Sequence, residues 1–160
     1  MIEIIPYDLE YAQGVHEMLI SIEEEFEQPI RNSKKAKSSL PDKYWIALKN
    51  KEIIGSVALI FISPQNAILK SMMVRKDFRG KKEGLSALLL QKAIDCCLKK
   101  EIDVLYLGTM LQFKAAQKFY QKNGFQEIEL ESLPENFIGN PLDKIFFCRK
   151  IKEINDSINR

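Results

Sequence analysis

Val74-Arg75-Lys76-Asp77-Phe78-Arg79-Gly80-Lys81-Lys82-Glu83-Gly84-Leu85-Ser86-Ala87-Leu88-Leu89-Leu90 is the most informative stretch of this chain. A β-rich segment, residues 66–74, runs into a basic loop with two glycines, and the loop opens onto an amphipathic helix. The first turn of a helix carries unpaired N–H groups and the positive end of the macrodipole. Glycine lets a backbone come close to an anion, and Arg79, Lys81 and Lys82 add formal charge. Strand, loop and helix in that order make a phosphate cradle. A basic turn that only leads into a helix is the alternative reading of the same residues. No Gly-Lys-Ser/Thr closes the loop, so it is not a P-loop. Gly-x-Gly-x-x-Gly is absent, so it is not a dinucleotide fingerprint.

Outward from the loop, the pattern predicts alternating elements. Residues 2–6 read as a strand and 8–26 as a helix, with Leu9, Val15, Leu19, Ile22 and Phe26 near helical spacing. A polar stretch, Gln28 to Lys43, reads as a loop or a short helix with loops. Trp45 to Leu48 and Ile53 to Ile62 are strands joined by a hairpin at Asn50-Lys51, the second apolar on both faces and therefore central. The helix after the cradle runs from about Gly84 to Lys99, leucines inward and Gln91, Lys92, Asp95 and Lys99 outward. Val104 to Leu107 is a strand, and 112–123 a helix stopped by Asn123-Gly124. Phe125 to Glu131 and Ile145 to Ile151 are the last strands. The fold class is α/β, one mixed sheet (α+β in character) with helices packed on it.

A second motif narrows the function. Ala115-Ala116-Gln117-Lys118-Phe119-Tyr120-Gln121-Lys122-Asn123-Gly124-Phe125 resembles the Ala-x-x-Phe/Leu-Tyr-x-x-x-Gly-Phe signature of the GNAT family of N-acetyltransferases. The cradle is similar to that family's acetyl-CoA pyrophosphate loop, Arg/Gln-x-x-Gly-x-Gly/Ala. Leu107-Gly108-Thr109, Phe113-Lys114-Ala115-Ala116 and Pro141-x-Asp143 resemble a bacterial subgroup. Lys81 holds the usual arginine's place before Gly84, Arg79-Gly80 comes earlier, and the loop carries two extra residues. Ser86 stands where Gly or Ala is usual, Phe113 where many members have an Asn that touches CoA, and Glu83 should point outward from an anion site.

The resemblance implies a single-domain GNAT acyl-CoA N-acyltransferase fold over residues 1–151, followed by a polar, frayed tail at 152–160. It implies an acetyl-CoA-dependent N-acetyltransferase in which a primary amine attacks the thioester directly in a ternary complex. Met72, Met73 and Val74 would offer a backbone N–H to the oxyanion, while Arg79, Gly80, Lys81, Lys82, Glu83, Gly84, Leu85, Ser86 and Phe113 would line acetyl-CoA. Tyr120 would be the acid that serves the leaving sulfur; packed core tyrosine is its other reading. No residue stands out as the general base. Glu23, Glu24, Glu25 and Glu27 end the first helix, where such enzymes often build the acceptor site, and a solvated helix end is the plainer reading. The acceptor is a small-molecule or peptide amine: a polyamine, an amino acid, an aminoglycoside or a protein N-terminus. The rival function is a non-catalytic acyl-CoA-binding or sensor protein of the same fold.

Composition agrees with this frame. The chain has 160 residues, 46% hydrophobic and 29% charged, which suits one ordinary globular domain. A net charge of +2 argues against nucleic acid or a membrane surface as partner. The longest apolar run, Val57 to Ile62, is too short to span a bilayer, and the start of the sequence lacks a signal-type pattern. Cys96, Cys97 and Cys148 read as reduced core residues, so a cytoplasmic protein is expected. The single His16 reads as a helix residue and excludes a His-rich metal site; no metal is expected. The last strands could pair across subunits, which leaves a homodimer open.

Overall fold

The computed structural model describes residues 1–30, 40–80 and 84–151. Lys81, Lys82, Glu83, most of the polar 28–43 stretch (residues 31–39) and the 152–160 tail therefore lie outside the described residues. The strands are β1 (Glu3–Pro6), β2 (Lys43–Lys49), β3 (Glu52–Phe61), β4 (Asn66–Val74), β5 (Val104–Thr109), β6 (Gln126–Ile128) and β7 (Ile145–Lys150). They form one mixed seven-stranded sheet in the order β1-β2-β3-β4-β5-β7-β6. The helices are α1 (Ala12–Glu23), α2 (Leu85–Lys99) and α3 (Lys114–Lys122). The described chain divides into two compact units, and β3, β4 and α2 each contribute to both.

Unit 1 holds residues 1–27, 40–60 and 69–95. β1 and β2 pair antiparallel from Glu3↔Leu48 to Pro6↔Trp45, and β2 pairs antiparallel with β3. Asn50 and Lys51 both take positive φ, +50° and +67°, as a two-residue hairpin turn requires. β3 is buried from Ile53 to Leu59, as a strand with two apolar faces should be. α1 starts later than periodicity suggested. Asp8 accepts from the Leu9 N–H at 2.8 Å and caps a 3-10 turn first, which leaves Leu9 three-quarters exposed. On α2, Leu85, Leu89, Leu90, Ala93 and Ile94 are buried, whereas Leu88 is half exposed. His16 is an exposed helix residue.

Unit 2 holds Phe61–Ile68 and the chain from Cys96 onward, with Gln28–Ser39. β4 enters it in parallel with β5 through Asn66↔Val104, Ala67↔Leu105 and Ile68↔Tyr106. β7 lies between β5 and β6, antiparallel to both. The strand expected at Phe125 to Glu131 shrinks to β6. Phe125 is buried and donates its N–H to the Tyr120 carbonyl as part of the stop of α3, and Leu130 is exposed in a 3-10 turn. That stop uses Gly124 at φ +89°. Gly108 and Asp143 explain each other: a Cβ at 108 would stand 2.7 Å from the Asp143 carboxylate. The three cysteines are free. Among the described residues no helix is long and apolar enough to cross a membrane.

Candidate active site

In unit 1 the end of β4 and the start of α2 flank the loop that the sequence reads as a cradle. Gly84 has φ +62° and its carbonyl accepts from the Leu88 N–H at 3.0 Å, so it stands immediately ahead of the first turn of α2. The amides of Leu85, Ser86 and Ala87 follow it and have no acceptor within the helix. A Cβ at Gly84 or Gly80 would meet nothing within 4 Å. The glycines are thus not required by packing; each sits in the left-handed region, at φ +62° and φ +104°. Leu85 is fully buried and anchors the turn, while Ser86 is half-buried beside it.

β4 changes character at Ser71, a non-glycine residue at φ +51° in mid-strand. A left-handed residue inside a strand turns the following peptide groups and is costly unless held. It is held by Ser56, which is fully buried and donates its hydroxyl to the Ser71 carbonyl at 2.6 Å. Tyr44 lies beside the same serine, and its ring stacks on Tyr7 with centroids 4.5 Å apart. Past the kink come Met72 and Met73, half-buried, and Val74, buried. The parallel register with β5 ends at Ile68, before this stretch. Gly55 on β3 lets β4 lie close, since a Cβ there would be 3.0 Å from the Met73 carbonyl.

Two arginines fasten the end of β4. Arg75 donates its N–H to the Ile54 carbonyl at 2.8 Å and its Nε–H to the Ile53 carbonyl at 2.7 Å. Arg79 donates Nε–H to the Val74 carbonyl at 2.8 Å, and Nη1 and Nη2 together grip the Glu25 carboxylate, the second contact at 2.9 Å. Glu25 is therefore not part of a solvated helix end. Sequence reasoning did not single out Ser56, Ser71, Arg75 or the Glu25–Arg79 pair. Each depends on contacts between residues far apart in sequence.

In unit 2, Tyr120 is buried on α3, with the Phe125 and Phe147 ring centroids 5.4 and 6.0 Å away. Burial, and then the charge of Asp143, push its phenol above the ordinary value of 10.0. It holds its proton and can serve as a donor. Phe113 is half-buried immediately before α3. The neighbouring Gln112 exchanges two hydrogen bonds with the Gln28 backbone, at 3.2 and 3.1 Å. Gln117 donates to the carbonyls of Met110 and Leu111. Among the described residues no group of His, Cys, Asp or Glu could hold a metal ion.

Residues 41–127 match the model of the GNAT acetyltransferase domain. The chain belongs to the GNAT family. An acetyltransferase of this family from Staphylococcus aureus Mu50 is 32% identical, over 94% of this chain and 99% of its own, with a TM-score of 0.80. PaiA N-acetyltransferase from Thermoplasma acidophilum, solved with coenzyme A, shares the GNAT fold at 18% identity and a TM-score of 0.72, over 94% of this chain and 99% of its own. An uncharacterized N-acetyltransferase from Chlorobaculum tepidum is 26% identical over 58% of this chain and 55% of its own. The chain thus spans about half the length of that curated relative.

Proposed function

We propose that this GNAT protein is an acetyl-CoA-dependent N-acetyltransferase that acts on a primary amine by direct attack in a ternary complex. The observation that carries the proposal is the end of β4 with the start of α2. A kinked strand, followed by a glycine-capped helix with open space over the glycine, suits a thioester and its diphosphate. Family membership and the coenzyme A complex of the Thermoplasma relative support the same ligand.

In this reading the amides of Leu85 and Ser86, with Gly80 and Gly84, receive the diphosphate, and Lys81 and Lys82 supply charge. The backbone of Met72, Met73 and Val74, turned by Ser71, offers the N–H that stabilises the developing oxyanion. Tyr120, assigned through its motif, donates a hydrogen bond to the departing sulfur. Phe113 takes the place of the usual asparagine, so an apolar contact replaces a polar one. The amine must shed a proton before attack, because an unperturbed Lys-like amine, with pKa ~10.4, is neutral only about once in a thousand near pH 7. The acceptor is a small-molecule or peptide amine.

Thiol release from acetyl-CoA, followed with and without a panel of amines, tests the proposal. Amine-dependent release is expected. Tyr120's burial among phenylalanines favours one rival, an acyl-CoA binder without transfer. Binding of coenzyme A with no release for any amine would establish that rival.

A further inference from the structure

We infer that Glu25 is a positioning residue for the cofactor loop, acting through Arg79; the inference rests on the cofactor reading above. Three of the five guanidinium N–H groups of Arg79 are spent inside unit 1. Nε–H goes to the last carbonyl of β4, at Val74, and the two Nη groups go side by side to the two oxygens of Glu25. One planar fork therefore ties the end of the oxyanion strand, the chain just past α1 and the first residue of the loop. The pair lies at the surface and is partly shielded, with side-chain exposure of 35% for Arg79 and 18% for Glu25. The charge of Arg79 is matched by Glu25, so Arg79 supports the diphosphate by holding the loop rather than by facing the anion. The sequence fits this division of labour. Arg79 comes two residues ahead of the usual place for the arginine, and Lys81 occupies that place.

A lysine has one ammonium on a flexible stem and cannot reproduce the fork, so conservation of charge should not rescue the role. Coenzyme A binding is measured by calorimetry for the parent, Glu25→Ala, Glu25→Gln, Arg79→Ala, Arg79→Lys and the Glu25→Ala/Arg79→Ala double variant. Glu25→Ala and Arg79→Ala should each weaken binding about three- to tenfold, with the double variant no weaker than Arg79→Ala alone. Arg79→Lys should behave as Arg79→Ala. A direct phosphate role for Arg79 gives the opposite pattern. Glu25→Ala would then leave binding unchanged or tighten it by freeing the cation, and Arg79→Lys would bind nearly as the parent, and either result overturns the inference. Hydrogen exchange at the Phe78 and Arg79 amides, whose acceptors are the Arg75 and Lys76 carbonyls, supplies a readout that needs no ligand. Exchange there should quicken in Glu25→Ala and Glu25→Gln, and unaltered exchange in both overturns the brace. A parent that does not bind coenzyme A would sink the proposed function, while the exchange measurement would still decide the brace.

Discussion

Replacing Ser56 by alanine isolates the device that bends β4. The hydroxyl donates to the Ser71 carbonyl at 2.6 Å, in a position with no solvent exposure. Ser71 is exposed, so water can satisfy its carbonyl in the variant. One net hydrogen bond contributes about 0.5–1.5 kcal/mol. The loss should therefore be about 1 kcal/mol, which for a chain of this size lowers Tm by about 2–4 °C. The kinetic effect should be larger than stability alone implies. Ser71 holds a left-handed conformation that costs about 1–2 kcal/mol, and without its anchor the strand can relax toward regular geometry. Met72 and Met73 amides would then shift, and displacement of a transition-state donor by about 1 Å can cost 10²-fold. Ser56→Ala should lower kcat about ten- to a hundredfold and leave the KM for acetyl-CoA nearly unchanged. Thermal melts and steady-state kinetics below the melting range provide the assay. A melt shifted as expected with kcat within twofold of the parent would refute the catalytic half of the reasoning. An unshifted melt would refute the structural half. Adding Ser71→Gly should recover about 1 kcal/mol of stability, because glycine accepts φ +51° without strain.

Gly84→Val should bind coenzyme A at least tenfold more weakly by calorimetry while keeping the far-UV spectrum. It stands at φ +62° with no neighbour to clash with, so only the bound anion and local backbone strain oppose the side chain. Gly55→Ala should cost about 1–3 kcal/mol in urea unfolding, because its Cβ would press on the Met73 carbonyl and Leu89 Cδ1, each at 3.0 Å. Tyr120→Phe should reduce kcat about ten- to a thousandfold with little change in the KM for acetyl-CoA, and equal kcat in a stable variant would reassign Tyr120 to packing. Stability should fall at alkaline pH. Burial raises the Cys97 thiol from 9.0 to about 12 and also raises Tyr120, so both stay neutral in the fold but ionise more readily when unfolded. Their contribution is complete below the unfolded values and is lost as pH climbs from about 9 toward 12. Urea midpoints at pH 7, 9 and 10.5 should decline in the parent and decline less in Cys97→Ala.

Elements governed by local chemistry were legible in the sequence. Asn50-Lys51, Asn123-Gly124 and the apolar face of α2 declare themselves within a few residues, and the structure has all three. The order of strands and helices followed from them, and two motifs in the right order pointed to the GNAT family. Boundaries were less legible where a cap competes with periodicity, as at Asp8, or where an apolar residue serves a neighbouring element, as Phe125 does for α3. The Ser56–Ser71 bond spans 15 positions and the Arg79–Glu25 pair 54, and neither leaves a periodic trace. Serine at position 71 resembles any polar strand residue, and nothing in its type announces a left-handed backbone. Glu25 likewise has the composition of a solvated helix end, and only the arrival of Arg79 gives it a task.

The placement of β7 between β5 and β6 has a consequence for biosynthesis. β5 is translated by Thr109, yet its antiparallel neighbour is complete only at Lys150. During that interval β5 has one edge without its partner, and β6, three residues long, pairs with β7 and must wait as well. Unit 2 therefore closes late and by long-range pairing, which is the slow class of folding event. A ribosome stalled before position 145, or a nonsense change there, would release a chain with an open strand edge. Such an edge invites pairing with a second chain, so truncated products should be recovered as aggregates rather than as a smaller soluble enzyme.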